Sequence, residues 1–139
     1  MIQQQTNPSF WHGKRVLLTG HTGFKGSWLS LWLQAMGSEL RGISLAPPTT
    51  PALFNVGEIA KGMDHQIADI RDFDKVNKLV AEFRPEIVIH MAAQPLVRLS
   101  YQQPIETYAT NVMGTVHILE AARHAGSVKA IVNITTDKC

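Results

Sequence analysis

Strand-like and helix-like segments alternate along this chain, and this alternation constrains its fold more than any other feature. A β-prone run at 15–19 precedes apolar residues at helical spacing over 24–36, and a second strand pattern covers 39–45. The nearly continuous apolar run at 87–91 is typical of a strand that is covered on both faces. Because helices between successive strands require right-handed crossovers, the pattern predicts a parallel sheet.

The complete order is β-α-β-loop-β-α-β-α-β, which predicts an α/β fold of the Rossmann type, a doubly wound parallel sheet with helices on both faces. We assign residues 1–12 to a flexible N-terminal tail and residues 13–139 to the domain. After the second strand, the segments are a breaker-rich loop at 46–51, a strand at 65–70, helix 72–83, strand 87–91, a helix at about 104–125 ended by Gly126, and a strand at 129–135.

Composition excludes several function classes. The chain has 139 residues, 45% of them hydrophobic and 17% charged, and its net charge of +2 is too small to indicate a nucleic-acid partner. No segment approaches the roughly 20 apolar residues of a membrane helix, and the polar start lacks the pattern of a signal peptide. With Cys139 as the single cysteine, a reducing, cytoplasmic location is expected.

A glycine-rich loop, Gly-His-Thr-Gly-Phe-Lys-Gly at 20–26, lies between the first strand and the first helix. A diphosphate can approach bare N–H groups at a helix N-terminus, where the helix dipole favours negative charge, provided that no Cβ intervenes. The loop therefore predicts a dinucleotide site. Its candidate cofactor-binding residues are Gly20, Thr22, Gly23, Phe24, Lys25 and Gly26.

The run from Thr19 to Gly26 matches T-G-x-x-G-F-x-G and resembles the extended short-chain dehydrogenase/reductase family. Three further segments resemble motifs of that family in the expected order: Asp69-Ile70, 90–94 (H-M-A-A-Q) and 110–115 (T-N-V-M-G-T). This resemblance implies that Asp69 and Ile70 lie beside the adenine. It also implies that the cofactor lies against Met91, Ala92, Ala93 and Gln94, and that Asn111 supports the active-site hydrogen bonds.

The residues themselves leave NAD and NADP both open. An acidic residue usually binds the ribose at the end of the second strand, whereas this chain has Ser44 there, a candidate hydrogen-bond partner of a ribose hydroxyl. Arg41 falls inside the strand, so no arginine is placed for a 2′-phosphate. The family resemblance favours NAD.

Three stretches, 20–29, 92–98 and 136–139, resemble the members of the family that dehydrate CDP-glucose at carbons 4 and 6. The related dTDP-glucose enzymes have serine at the position of Pro95 and T-D-E at the position of 136–138. The resemblance implies an internal redox cycle: hydride leaves sugar C4 for the nicotinamide, water is lost from C5 and C6, and the hydride returns to C6. The expected product is CDP-4-keto-6-deoxy-glucose.

The resemblance also assigns the candidate catalytic residues. Thr136 would hydrogen-bond the C4 hydroxyl, Asp137 would protonate the departing C6 hydroxyl if burial keeps it partly protonated, and Lys138 would take the place of the C5 base. An exposed loop ion pair between Asp137 and Lys138 is the alternative. The family's Tyr-x-x-x-Lys pair is absent, because neither Tyr101 nor Tyr108 has a lysine four residues on. We expect a truncation before that helix and the C-terminal substrate region, and an inactive chain.

Two other functions stay open: a sister epimerase, dehydratase or reductase, and a noncatalytic dinucleotide-binding module. We predict no metal, because His117 and His124 are about 10 Å apart on a helix. The expected partners are a nucleotide-sugar substrate and a second copy that packs through helix 104–125, with no nucleic acid and no membrane. His90 is predicted to be structural and Gly114 to allow close packing. The i, i+4 spacing of Trp28 and Trp32 favours the core, with contact to a partner as the alternative.

Overall fold

The computed structural model describes residues 7–135. Its five strands form one sheet in the order β3-β2-β1-β4-β5, and every neighbouring pair is parallel. The predicted strands are all present, although most are shorter at their carboxyl ends. The strands are β1 (Arg15–Thr19), β2 (Glu39–Ser44), β3 (Asp64–Ile67), β4 (Ile87–His90) and β5 (Ala130–Asn133).

Seven α-helices accompany the sheet in the described part of the chain. The crossover from β2 to β3, predicted as a loop, contains a short helix and the 3₁₀ turn Ile59–Gly62. The predicted helix 104–125 is interrupted by a π-helical turn at Ala109–Met113. The helices are α1 (Pro8–Trp11), α2 (Phe24–Ala35), α3 (Leu53–Val56), α4 (Phe73–Phe83), α5 (Val97–Gln102), α6 (Pro104–Tyr108) and α7 (Gly114–Ala125).

Both faces of the sheet are covered, as the doubly wound fold requires. Successive strand residues point to opposite faces, so Leu17 of β1 packs with α4 and α7, whereas Val16 and Leu18 pack with Leu33 of α2. The strand order is that of the first five strands of the six-stranded Rossmann sheet. The predicted fold class is confirmed.

The N-terminal segment differs from the predicted loose tail over the residues that the structure describes. The side chain of Asn7 accepts a hydrogen bond from the Ser9 amide and caps α1. Trp11 packs against the core beneath α2, and the Ser38 hydroxyl donates to its carbonyl at 3.2 Å. Partial burial of Trp11 thus anchors a segment whose polar composition predicted exposure to solvent.

The buried face of α2 was predicted wrongly. Trp28 and Trp32 are 56% and 52% exposed, whereas Gly26, Ser27, Ser30 and Leu33 are buried. Small residues allow the helix to lie close to the loop before it, and two hydroxyls donate to carbonyls there: Ser27 to His21 and Ser30 to Gly26. The spacing of hydrophobic residues predicted burial of the tryptophan face because spacing alone does not show that the helix must lie close to the loop.

Among the described residues, no helix has the length and apolar character needed to cross a membrane.

Candidate functional site

The glycine-rich loop lies where the carboxyl ends of β1, β2 and β4 meet. Gly20 has a φ of +77°, and a Cβ there would be 2.9 Å from the amide nitrogen of Ala92. Only glycine allows this conformation and this contact at low cost. Gly20 therefore brings the loop after β1 against the chain that follows β4.

The other two glycines of the loop differ in what requires them. A Cβ on Gly26 would overlap the carbonyl oxygen of Gly20, so the fold itself demands glycine there. A Cβ on Gly23 would meet only the Gly20 oxygen at 3.4 Å, an ordinary contact. Because the fold tolerates a side chain at Gly23, the absence of one is better explained by the approach of a ligand.

The N-terminus of α2 is suited to an anion. Gly23 is its N-cap and makes no side-chain capping bond, and the first turn has no acidic residue. First-turn N–H groups have no acceptor within a helix, and the dipole adds positive potential. Phe24 is 72% exposed and Lys25 is also exposed, so neither closes the approach. The loop thus offers the bare amides and the space that a diphosphate needs.

Thr22 fastens the loop to the end of β2. Its buried hydroxyl donates to the carbonyl of Leu45 at 2.9 Å, so the hydrogen bond of 2.8 Å between Thr22 and Ser44 must use the Ser44 proton. Ser44 keeps its lone pairs and can accept a bond from a ribose hydroxyl. Arg41 lies inside β2, as predicted, and pairs with Asp64 at 2.7 Å.

A chain of hydrogen bonds orders the segment after β4. The Thr19 hydroxyl oxygen accepts from the amides of Met91 and Ala92, both at 3.1 Å, and is 2.6 Å from Nδ1 of His90. Nε2 of His90 is 3.1 Å from Oγ1 of Thr115, whose own proton goes to the Asn111 carbonyl. Every donor has an acceptor only if His90 is neutral with its proton on Nε2.

As predicted, His90 is a histidine at a strand end with both ring nitrogens hydrogen-bonded. It is buried, and this burial lowers its pKa below the ordinary value near 6.5. A neutral ring agrees with the direction of the hydrogen bonds. This series of hydrogen bonds links the end of β1, the end of β4 and the π turn.

Asn111 lies on the π turn and holds Gln94. Its Oδ1 accepts from the Gln94 amide at 2.8 Å, and its Nδ2 donates to the Gln94 carbonyl at 3.1 Å. The side chain of Gln94 in turn bonds both backbone groups of Leu96. The predicted residues 91–94 and Asn111 are therefore brought together, with Ala93 between Ala92 and Gln94 on the same segment. π turns of this kind are frequent at functional sites.

Asp69 and Ile70 follow β3 by two and three residues. Ile70 is buried against Gly114, where a Cβ would come within 2.5 Å of Ile70 Cδ1, so the close packing predicted for Gly114 is confirmed. Arg71 binds the Asp69 carboxylate, and its hydrogen bonds lower the pKa of Asp69 below the ordinary value. Sequence reasoning did not single out Arg71, although its position two residues beyond Asp69 was a local signal.

His21 is a second residue that sequence reasoning missed. It belongs to the glycine-rich loop and its side chain is fully buried. Its Nε2 is 2.6 Å from Nδ1 of His65, and its ring contacts Phe54. Burial is the main reason that its pKa is lowered to about 4, and His65 adds to the effect. No local pattern pairs residues that lie 44 positions apart.

The candidate catalytic residues Thr136, Asp137 and Lys138 lie outside the described residues. His117 bonds the Ile70 carbonyl through Nδ1 at 2.9 Å. Within 7–135, no cluster of three or more His, Cys, Asp or Glu could hold a metal ion.

Curated proteins with sequences similar to this chain include enzymes of sugar nucleotides. A CDP-glucose 4,6-dehydratase of Salmonella typhimurium strain LT2 is 63% identical over 131 residues, which are 94% of this chain and 36% of that protein. A UDP-glucose 4-epimerase of Mycolicibacterium smegmatis is 38% identical, over 84% of this chain and 37% of the relative. This chain thus spans about a third of the length of these relatives.

Solved structures similar to this chain include UDP-glucose 4-epimerases. The Thermus thermophilus UDP-glucose 4-epimerase, crystallised as a complex with NAD, has a TM-score of 0.72 and 35% identity, over 84% of this chain and 36% of that one. A Stenotrophomonas maltophila UDP-glucose 4-epimerase with bound NAD has a TM-score of 0.75 and 28% identity, over 89% and 37%.

The family model described as GDP-mannose 4,6 dehydratase matches residues 17–139. Together with these relatives it confirms the resemblance to the extended short-chain dehydrogenases/reductases. This chain belongs to the GDP-mannose 4,6 dehydratase family.

Proposed function

We propose that this chain binds NAD across the carboxyl end of its sheet. The observation that carries the proposal is the uncapped N-terminus of α2, which opens beside Gly23 at a position where the fold itself would accept a side chain. The NAD present in the Thermus and Stenotrophomonas epimerases supports the same cofactor here.

Each part of the cleft has a role in this proposal. The first turn of α2 holds the diphosphate, Ser44 accepts from a ribose hydroxyl, and Asp69 accepts from the adenine amino group. The segment 91–94, fixed by Thr19 and Asn111, forms the wall along the cofactor. Bound NAD would supply a temporary acceptor for the hydride that the sugar loses.

For the whole protein we propose the dehydration of CDP-glucose to CDP-4-keto-6-deoxy-glucose. Two observations support this proposal. This chain is 63% identical to a CDP-glucose 4,6-dehydratase, and its stretches 20–29, 92–98 and 136–139 resemble enzymes of that kind. Thr136 would bind the C4 hydroxyl, Asp137 would give a proton to the C6 hydroxyl as it leaves, and Lys138 would take the C5 proton. The C5–H and C6–O bonds break: the C5 proton passes to Lys138, and the C6 hydroxyl leaves as water with the proton from Asp137.

The 139 residues contain no tyrosine followed by lysine four positions on. We therefore expect this chain by itself to bind NAD without converting CDP-glucose. Calorimetric titration with NAD and mass spectrometry of CDP-glucose after incubation would measure the two properties. Binding with unchanged CDP-glucose is expected, and loss of 18 mass units from the sugar would contradict the second half.

A sister activity on the same scaffold is the main rival. A protein that carries this chain together with a Tyr-x-x-x-Lys helix should release the 4-keto-6-deoxy product from CDP-glucose. Epimerisation without loss of water would establish the rival. Failure to bind any dinucleotide would refute the proposal as a whole.

We also propose that the chain pairs with a second copy through the helical segment 104–125, which comprises α6, the π turn and α7. Val112, Val116 and Leu119 follow one another at helical spacing and are 42–49% exposed, which is unusual for a row of apolar side chains. A monomer in light scattering at micromolar concentration would contradict this pairing.

A further inference from the structure

We propose that Arg71 is a positioning residue that presents the Asp69 carboxylate to the adenine amino group of the bound dinucleotide. This inference rests on the proposed NAD site and adds a residue to it. Arg71 need not touch the ligand. It acts by fixing the direction and the free acceptor capacity of Asp69.

The guanidinium of Arg71 holds both oxygens of Asp69. Its Nε is 3.1 Å from Oδ1 and 2.9 Å from Oδ2, its Nη2 is 2.6 Å from Oδ2, and its backbone amide donates to Oδ1 at 2.9 Å. Planar, fork-like pairing of this kind fixes orientation as well as charge. The carboxylate cannot rotate without breaking at least two of these bonds.

The same bonds leave the carboxylate with limited acceptor capacity. An ionised carboxylate offers about four lone-pair positions, and three N–H groups of Arg71 direct hydrogen bonds at this one. About one position stays open, which suits a single N–H of an exocyclic amino group. The Asp69 side chain is 29% exposed, so this position is accessible.

Arg71 is itself held from a second side. Its Nη1 pairs with Glu106 of α6, 35 residues further along the chain. The guanidinium therefore lies between two carboxylates on different elements and cannot easily turn away from Asp69. Because α6 continues into the π turn with Asn111, the adenine end and the Asn111 end of the cleft rest on one continuous helix.

A purely structural role for this network is less consistent with its exposure. Arg71 and Glu106 have side chains that are 41% and 58% exposed, and exposed ion pairs stabilise folded proteins little. Local stability alone therefore gives a weak reason for two carboxylates to converge on one arginine. Recognition of the base gives a stronger reason, and it predicts a result that depends on the base.

The test compares NAD with nicotinamide hypoxanthine dinucleotide, in which an oxygen replaces the adenine amino group. Calorimetry would give the dissociation constants of both for the purified protein and for Arg71→Gln. We expect Arg71→Gln to weaken NAD binding about 5- to 10-fold, which is less than the roughly 10- to 150-fold cost of losing one hydrogen bond to a charged group completely, because Asp69 itself remains. The affinity for the hypoxanthine analogue should change less than twofold.

Arg123→Gln is the matched control, because Arg123 makes a similar bidentate contact with the carboxylate of Glu120 on the exposed surface of α7. It should change neither affinity. Glu106→Gln should weaken NAD by a smaller factor in the same direction. Asp69→Asn should weaken NAD as Arg71→Gln does, and the double variant should lose no more than either one, since the two residues act as a unit.

Equal weakening of both dinucleotides in Arg71→Gln would overturn the inference, and so would unchanged NAD affinity. These outcomes are distinct from failure of the proposed function, in which the unmodified protein would bind neither dinucleotide.

Discussion

At the scale of single residues, the glycines of the 20–26 loop have separable purposes. Gly20 and Gly26 are required by contacts within the chain: one has a positive φ, and the Cβ position of the other is taken by a backbone oxygen. Gly23 has extended backbone angles that alanine also adopts, and only an ordinary contact near its Cβ position. A repeated glycine spacing in a sequence therefore combines a demand of folding with a demand of binding.

Gly23→Ala should separate these two demands. We expect a loss of about 1 kcal/mol in the free energy of unfolding, the ordinary difference between glycine and alanine at an N-cap, and at least tenfold weaker NAD binding. Urea unfolding and calorimetry would measure the two effects.

Gly26→Ala is the contrasting variant. It should lose roughly 3 kcal/mol or more, because the new methyl group overlaps a backbone oxygen that cannot move independently. Equal stability of the two alanine variants would contradict this division of roles.

At the scale of elements, α2 shows how a helix can bury its smaller side chains. The face with Gly26, Ser27 and Ser30 allows close approach to the loop, and Leu33 anchors the far end of the helix in the core. The tryptophans consequently face solvent in the described structure. Packing distance outweighed side-chain hydrophobicity in choosing this face.

The double variant Trp28→Gln, Trp32→Gln should lose less than about 1 kcal/mol of unfolding free energy, since surface substitutions change stability little. Leu33→Ala, by contrast, should lose about 2–5 kcal/mol because it leaves a cavity in the core. Urea denaturation followed by circular dichroism compares them without relying on tryptophan fluorescence. A double variant as unstable as Leu33→Ala would show that the tryptophans are buried.

At the scale of the whole molecule, the buried histidines His21 and His90 and the partly buried His65 make stability depend on pH. Burial lowers the pKa of His21 to about 4 and lowers those of His65 and His90 below the ordinary 6.5. Between pH 6.5 and about 4 the unfolded chain thus binds more protons than the folded one. The contribution of these histidines to stability is therefore complete above pH 6.5 and falls as the pH decreases through this window.

We expect the free energy of unfolding to decrease by at most about 1.4 kcal/mol per pH unit for each of these histidines. Urea unfolding at pH 7.5, 6.0 and 5.0 would measure this slope. His21→Phe keeps a ring against Phe54 and cannot ionise, so its slope should be shallower; an unchanged slope would exclude His21 as a cause. Asp64 and Asp69 have lowered pKa values and lose their contribution only at lower pH.

The sequence by itself determined the parallel sheet, the order of its elements and the position of the phosphate loop. These depend on local periodicity and on glycines next to a strand end, which can be recognised without knowing what lies across the fold. It also placed Asp69, residues 91–94 and Asn111 in one cleft through motifs of the family, and the described geometry brings these residues to the same end of the sheet.

Only the tertiary structure decided which face of α2 is buried, how the N-terminal helix is anchored, and which side chains pair in the cleft. Thr19 bonds His90 across 71 positions, His21 bonds His65 across 44, and Arg71 reaches Glu106 across 35. Periodicity and spacing describe neighbours along the chain. Contacts of this kind arise from the order of strands in the sheet, and the energy of each depends on burial that is defined only after folding.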